Sequence, residues 1–157
     1  IMDGSHSIER CEEVTQTTLI ALFDALREQE VNLEGCILKP NMVISGSTAS
    51  NRAGVQEVAE RTLKVFKRTV PAAIPGIVFL SGGQSDVEAT AHLDAMNKMG
   101  PLPWKLSFSY GRALQAAPQK AWAGKADNVP AAQAAFGHRA KMNSLASKGE
   151  YSADLEK

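Results

Sequence analysis

Apolar positions recur along the chain in two different spacings, and the changes between them lay out an alternating series of helices and strands. Val14, Thr18, Leu22 and Leu26 return every fourth residue and predict a helix over about 8–29. Ser5 and Ser7 are candidate N-caps for it, and Glu9 falls in its first turn, where a carboxylate suits the helix dipole. Val31 to Leu38 reads as a strand that closes at Lys39-Pro40, because proline disfavours helical backbone in the residue before it. A loop rich in Ser, Thr, Gly and Asn covers 44–54. Val55, Val58, Ala59, Thr62 and Phe66 then mark a second helical stripe that stops before Pro71.

Ile77-Val78-Phe79-Leu80 is an unbroken apolar run, the pattern of a strand buried on both faces in a parallel sheet. After Ser81-Gly82-Gly83-Gln84, the residues Ser85-Asp86-Val87-Glu88 form a capping box that opens another helix. Pro101-Leu102-Pro103 breaks the chain before a third strand, Trp104 to Ser109. Tyr110-Gly111-Arg112 leads into an Ala-rich helix towards Trp122. A last helix covers roughly 131–147, and 148–157 is a polar tail. Strand–helix alternation with buried apolar strands predicts parallel α/β packing in one domain, or part of one, over 1–157. The opening Ile1-Met2-Asp3-Gly4 reads as the end of a further strand running into a turn.

Ligands in parallel α/β architectures bind at the C-terminal ends of strands, which makes three places comparable. Lys39 ends the first strand, Ser81-Gly82-Gly83 the second, and Ser109 to Arg112 the third. Glycines let backbone N–H groups approach a phosphate, a helix N-terminus adds favourable dipole, and arginine binds two phosphate oxygens at once. A lysine enclosed by an apolar strand end has a lowered pKa and acts as an amine nucleophile. Each feature also has a plain reading: a surface lysine, an ordinary turn, a salt-bridging arginine. The three together at consecutive strand ends are what a phosphorylated carbonyl substrate requires.

Composition narrows the alternatives. The 157 residues carry 17 basic and 17 acidic side chains, so the formal net charge is zero and a general attraction to nucleic acid or anionic membrane is not expected. No apolar run approaches the roughly 20 residues that span a bilayer, which predicts a soluble chain. Cys11 and Cys36 are too few for a disulfide scaffold, and with no signal-like start the cytoplasm is the expected location. His6, His92 and His138 lack the spacing of a helical metal site and read as solvated surface residues. No GxGxxG or Walker A pattern is present, and Ser-Gly-Gly is not a nucleophile elbow.

Three stretches together are similar to a known family. Leu33-Glu34-Gly35-Cys36-Ile37-Leu38-Lys39-Pro40-Asn41 resembles the active-site signature of class I fructose-bisphosphate aldolase. Val78 to Ser85 and Trp104 to Gln115 resemble two further stretches of that family, in the same order, and the likeness runs over essentially the whole chain. It implies the C-terminal part of a (β/α)8 barrel, strands six to eight with their helices. It implies that Lys39 forms a Schiff base with a ketose phosphate, and that Ser81, Gly82, Gly83, Ser109, Gly111 and Arg112 hold a substrate phosphate. No metal or other cofactor is implied, and a homo-oligomer, commonly a tetramer, is.

The family's Glu-Pro-Glu segment, which carries a general acid/base, lies just before the position of Ile1, and further catalytic groups lie upstream of that. None is in this sequence, and a complete barrel needs at least about 200 residues. Cys36 stands where animal members commonly have threonine. The ending at Lys157 resembles bacterial members, and Tyr151 does not correspond to the tail tyrosine of animal ones. Two readings follow: the Schiff-base half of a working aldolase, or a non-catalytic half-barrel that associates with itself through its open edges. A transaldolase-like lysine aldolase is disfavoured by the Gly-Gly and Tyr-Gly-Arg stretches.

Overall fold

The computed structural model describes residues 2–157. Helix α1 runs from Ile8 to Glu28 and is opened by the Ser7 hydroxyl, which accepts from the Arg10 N–H at 3.3 Å. Its buried stripe is Ile8, Cys11, Thr15, Leu19 and Phe23, while Val14 and Leu22 of the sequence stripe are exposed at 45% and 39%. The helix therefore has two apolar faces. One packs inward, and the other lines an open cleft beside the first strand.

Strand β1 is shorter than its apolar run predicts and comprises only Ile37–Leu38. The Asn32 side chain accepts from the Glu34 N–H at 3.2 Å and winds Leu33–Gly35 into a single 3-10 turn, withdrawing half the expected strand. Helix α2, Val55–Thr69, buries Val58, Ala59, Thr62, Leu63, Val65 and Phe66 and leaves Val55 exposed. Arg61 of α2 reaches Glu9 and Glu12 of α1 and Glu57 of its own helix, clasping the two helices at their solvent side.

Strand β2 is Gly76–Phe79, and strand β3 is Lys105–Phe108. The three strands form one parallel sheet in the order β1-β2-β3, with Ile37 opposite Gly76 and Phe79 opposite Phe108. Ile77 and Phe79 point into the helix layer and are fully buried, while Val78 on the other face is only half-buried. A strand built for burial on both faces thus has one face covered here. Helix α3, Asp86–Lys98, starts from the complete Ser85/Glu88 capping box. Helix α4, Arg112–Trp122, and helix α5, Val129–Ala146, pack on each other and on α3.

The core lies between the sheet and α2 and α3. Phe66 stacks on Phe79 at 5.7 Å between ring centroids, and Trp104 meets Phe66 edge-on at 6.5 Å. The indole N–H of Trp104 donates to the Pro71 carbonyl at 2.9 Å, so its one polar atom is satisfied.

Residues 148–157 are more than a polar tail. Tyr151 is buried, and Ala153–Glu156 forms a closing 3-10 turn. That turn brings Glu156 to the buried Arg139 guanidinium, His138 and the Tyr151 hydroxyl. Burial opposes ionisation of Glu156, but these three donors outweigh it and hold the carboxyl below its usual range.

At the other end, Ile1 lies outside the described residues. Met2 donates its N–H to the Gly82 carbonyl at 3.3 Å, and the Ser47, Thr48 and Gly46 N–H groups donate to the carbonyls of Met2, Gly4 and His6. A Cβ on Gly46 would collide with the Gly4 carbonyl, which is why glycine is required where these two segments cross.

Candidate functional site

Pairing continues beyond the regular strands and fixes which residues share a rim. The Leu80 N–H donates to the Pro40 carbonyl at 3.0 Å, and the Ser109 N–H to the Phe79 carbonyl at 2.9 Å. Lys39-Pro40, Leu80-Ser81 and Ser109-Tyr110 are thereby aligned at the C-terminal ends of neighbouring strands. Strand alternation puts Lys39 on the same face as Ile37, away from the helices.

The second strand end is a tight turn. Gly82 and Gly83 have φ of +60° and +92°, backbone that a side chain resists. Ser81 is buried beneath them. Arg112 lies over the turn, its guanidinium Nη2 3.5 Å from where a Cβ on Gly83 would stand. The groups of the second and third strand ends therefore meet.

Helix α4 adds a further donor set. Gly111 is its N-cap and offers no side-chain cap, so the first-turn N–H groups are unclaimed by any side chain. By contrast α3, next to the glycine turn, is closed by its capping box. Tyr110 anchors the start of α4 from below: its hydroxyl donates to the Ala89 carbonyl at 2.9 Å, and burial pushes its phenol pKa up. Ser109 is half-buried, and with its N–H spent on Phe79 it offers only a hydroxyl to a ligand.

Lys39 borders a cleft of about 500 Å3 between β1 and α1, together with Leu38, Asn41, Leu80, Val14 and Thr18. The lysine itself is exposed. The apolar enclosure that the sequence reading attached to a nucleophilic lysine is thus not supplied by residues 2–157. Among the described residues no three His, Cys, Asp or Glu side chains come together as metal ligands would.

Two residues under the turn were not marked as site residues by the sequence. Gln84 is buried, and its side-chain amide donates to the Ser81 carbonyl at 2.9 Å. His92, read as a surface residue, is 2% exposed and bonds Gln84 Oε1 through Nδ1 at 2.6 Å. Burial lowers its pKa to about 4, so the ring is neutral near pH 7. The weak apolar stripe of α3 gave no spacing signal that would have placed it inside.

The chain is built of parallel strand–helix units whose C-terminal rim gathers a lysine, a glycine turn and an arginine, and a structural match identifies them as part of a (β/α)8 barrel. A solved structure of fructose-bisphosphate aldolase from Plasmodium falciparum, in complex with TRAP and a small molecule inhibitor, matches this fold with a TM-score of 0.94 at 50% identity. The match covers 98% of this chain and 44% of that one. The family model for fructose-bisphosphate aldolase class-I covers residues 1–157, and the chain belongs to that family.

Similar proteins include a probable fructose-bisphosphate aldolase class 1 of Xanthomonas axonopodis pv. citri, 57% identical over 152 residues, or 96% of this chain and 46% of that protein. Fructose-bisphosphate aldolase B of Gallus gallus is 53% identical, over 95% of this chain and 41% of its own length. The chain spans less than half the length of these relatives.

Proposed function

We propose that this chain is the Schiff-base half of a class I fructose-bisphosphate aldolase. The enzyme would cleave fructose 1,6-bisphosphate reversibly to dihydroxyacetone phosphate and glyceraldehyde 3-phosphate, as a step of glycolysis and gluconeogenesis. The observation that carries this reading is the alignment of Lys39, the Ser81-Gly82-Gly83 turn and Arg112 at one rim. The neutral amine of Lys39 attacks the C2 ketone, and loss of water leaves a protonated imine. That cation accepts the electron pair released when the C3–C4 bond breaks, giving an enamine. Glyceraldehyde 3-phosphate departs, the enamine takes a proton, and hydrolysis returns the lysine and dihydroxyacetone phosphate. The imine is itself the electron sink, so these steps call for no metal or cofactor.

Arg112, the glycine N–H groups, the first turn of α4 from Gly111 and the hydroxyls of Ser81 and Ser109 would hold a substrate phosphate. The exposed Lys39 would gain its enclosure from the rest of the barrel. The general acid/base is expected from outside these residues. Such groups contribute on the order of 100- to 10,000-fold to rate, so residues 1–157 alone would be a poor aldolase. A cytoplasmic homo-oligomer is the expected form of the whole protein; a cytosolic aldolase of Arabidopsis thaliana is among the relatives.

A non-catalytic, self-associating half-barrel is the second reading, favoured by the outer position of β1 in the sheet of the described residues and by Ile37, which is 59% exposed. Borohydride trapping separates the two. The protein is incubated with dihydroxyacetone phosphate, reduced, weighed intact and peptide-mapped. An adduct on Lys39, lost in Lys39→Met, supports the aldolase reading. No adduct at Lys39 overturns it for this polypeptide and leaves the half-barrel.

A further inference from the structure

Gly82 and Gly83 both have left-handed backbone, which glycine adopts without steric strain but at an entropy cost when it is fixed, so the open turn depends on what holds it. The Ser81 carbonyl, just before them, receives two hydrogen bonds. One comes from the Gln84 backbone N–H at 3.0 Å, the other from the Gln84 side-chain amide at 2.9 Å. The same amide group is engaged at its other end, where His92 Nδ1 donates to Gln84 Oε1 at 2.6 Å. Its Nε2 also lies 3.6 Å from the Met42 sulfur, on the segment that follows Lys39-Pro40. Gln84 and His92 are both almost completely buried. Burying two polar side chains costs free energy that apolar residues of the same size would not. Filling space is therefore a poor account of them.

We infer that His92 and Gln84 are positioning residues for the phosphate cradle: the imidazole fixes the Gln84 amide, and the amide fixes the Ser81 carbonyl, holding the 81–83 turn in its open shape beneath Arg112. Neither side chain reaches the rim, so neither is a catalytic residue. This inference rests on the phosphate-binding reading of that turn given above.

The test compares the wild-type chain with His92→Leu and His92→Asn. Inorganic phosphate and dihydroxyacetone phosphate are titrated, and amide exchange is followed at Gln84. Asparagine places an N–H donor near the position of the imidazole Nδ1–H, whereas leucine keeps only volume. His92→Leu leaves Gln84 Oε1 without its donor and frees the turn, so it should bind both probes roughly tenfold more weakly or worse and exchange the Gln84 backbone amide faster to a similar degree. His92→Asn should restore both.

If His92→Leu does not fold, Gln84→Met reads the same quantity with His92 in place. A folded His92→Leu that binds both probes like the wild type overturns the inference while leaving the phosphate site standing. So does a His92→Asn as weak as the leucine variant. A wild-type chain that binds neither probe overturns the phosphate-binding reading, and this inference with it.

Discussion

Gly83 sits where an alanine would need φ near +92°, a strained backbone for any side chain, although its methyl would meet the Arg112 guanidinium only at ordinary contact distance. Gly83→Ala should cost at least about 1–2 kcal/mol of stability and weaken phosphate binding as the turn shifts to relieve the backbone strain. Thermal unfolding with and without phosphate checks both halves of that expectation. His92 gives a residue-scale prediction in pH. Burial disfavours its charged form; Glu88 opposes this and Arg52 adds to it, and the folded-state pKa is lowered to about 4 from 6.5. The unfolded chain takes up the proton first, so stability is lost as pH falls from about 6.5 to about 4 and then levels off. The total is about 3 kcal/mol. Urea unfolding at several pH values should show this loss, and His92→Asn should remove it. Sequence spacing could not reveal it, because a lone histidine on a weakly patterned helix reads as solvated until its neighbours are known.

Among the elements, α3 was the easiest to read and α1 the most misleading. The capping box of α3 is written in four consecutive residues and forms as expected, since both of its bonds are local. Ser85→Ala should therefore cost about 1 kcal/mol, seen as a lower midpoint in denaturant. The spacing of Val14 and Leu22 gave the existence of α1 but not its inward face, because both faces of that helix are apolar. Leu19→Ala, on the buried face, should cost about 2–5 kcal/mol. Leu22→Ala should stay within about 1 kcal/mol in the isolated chain. Equal losses would mean the wrong face has been called the core. Val31 to Leu38 misled for a different reason: apolar alternation was present, but Asn32 satisfied its own backbone first. The three strand ends were legible because Pro40, Gly82-Gly83 and Gly111 are breakers. The convergence of Arg112 on Gly83 was legible only through the topology.

For the molecule as a whole, β1 is an outer strand of the sheet with no further strand beside it among the described residues, and Val14, Ile20, Leu22 and Ile37 stay exposed. Such a surface favours association, so the isolated chain should sediment heavier than 16.8 kDa. Val14→Lys with Leu22→Lys should return it towards monomer without unfolding it. Sedimentation as a monomer at every concentration tried would remove the self-associating reading.

The last turn of the chain has a consequence for handling this protein. Glu156 is the nearer of two carboxylates facing Arg139, whose side chain is only 4% exposed and which also bonds Thr90 on α3; the other, Asp86, stands off at 3.8 Å. An exopeptidase that nibbles two residues from the C-terminus of this chain takes that carboxylate away and leaves the buried guanidinium with only the more distant Asp86. Leaving such a buried charge wholly unpaired costs on the order of 3–5 kcal/mol, and with Asp86 still in reach the loss here should be a part of that. A preparation frayed by so little would melt as two populations rather than one.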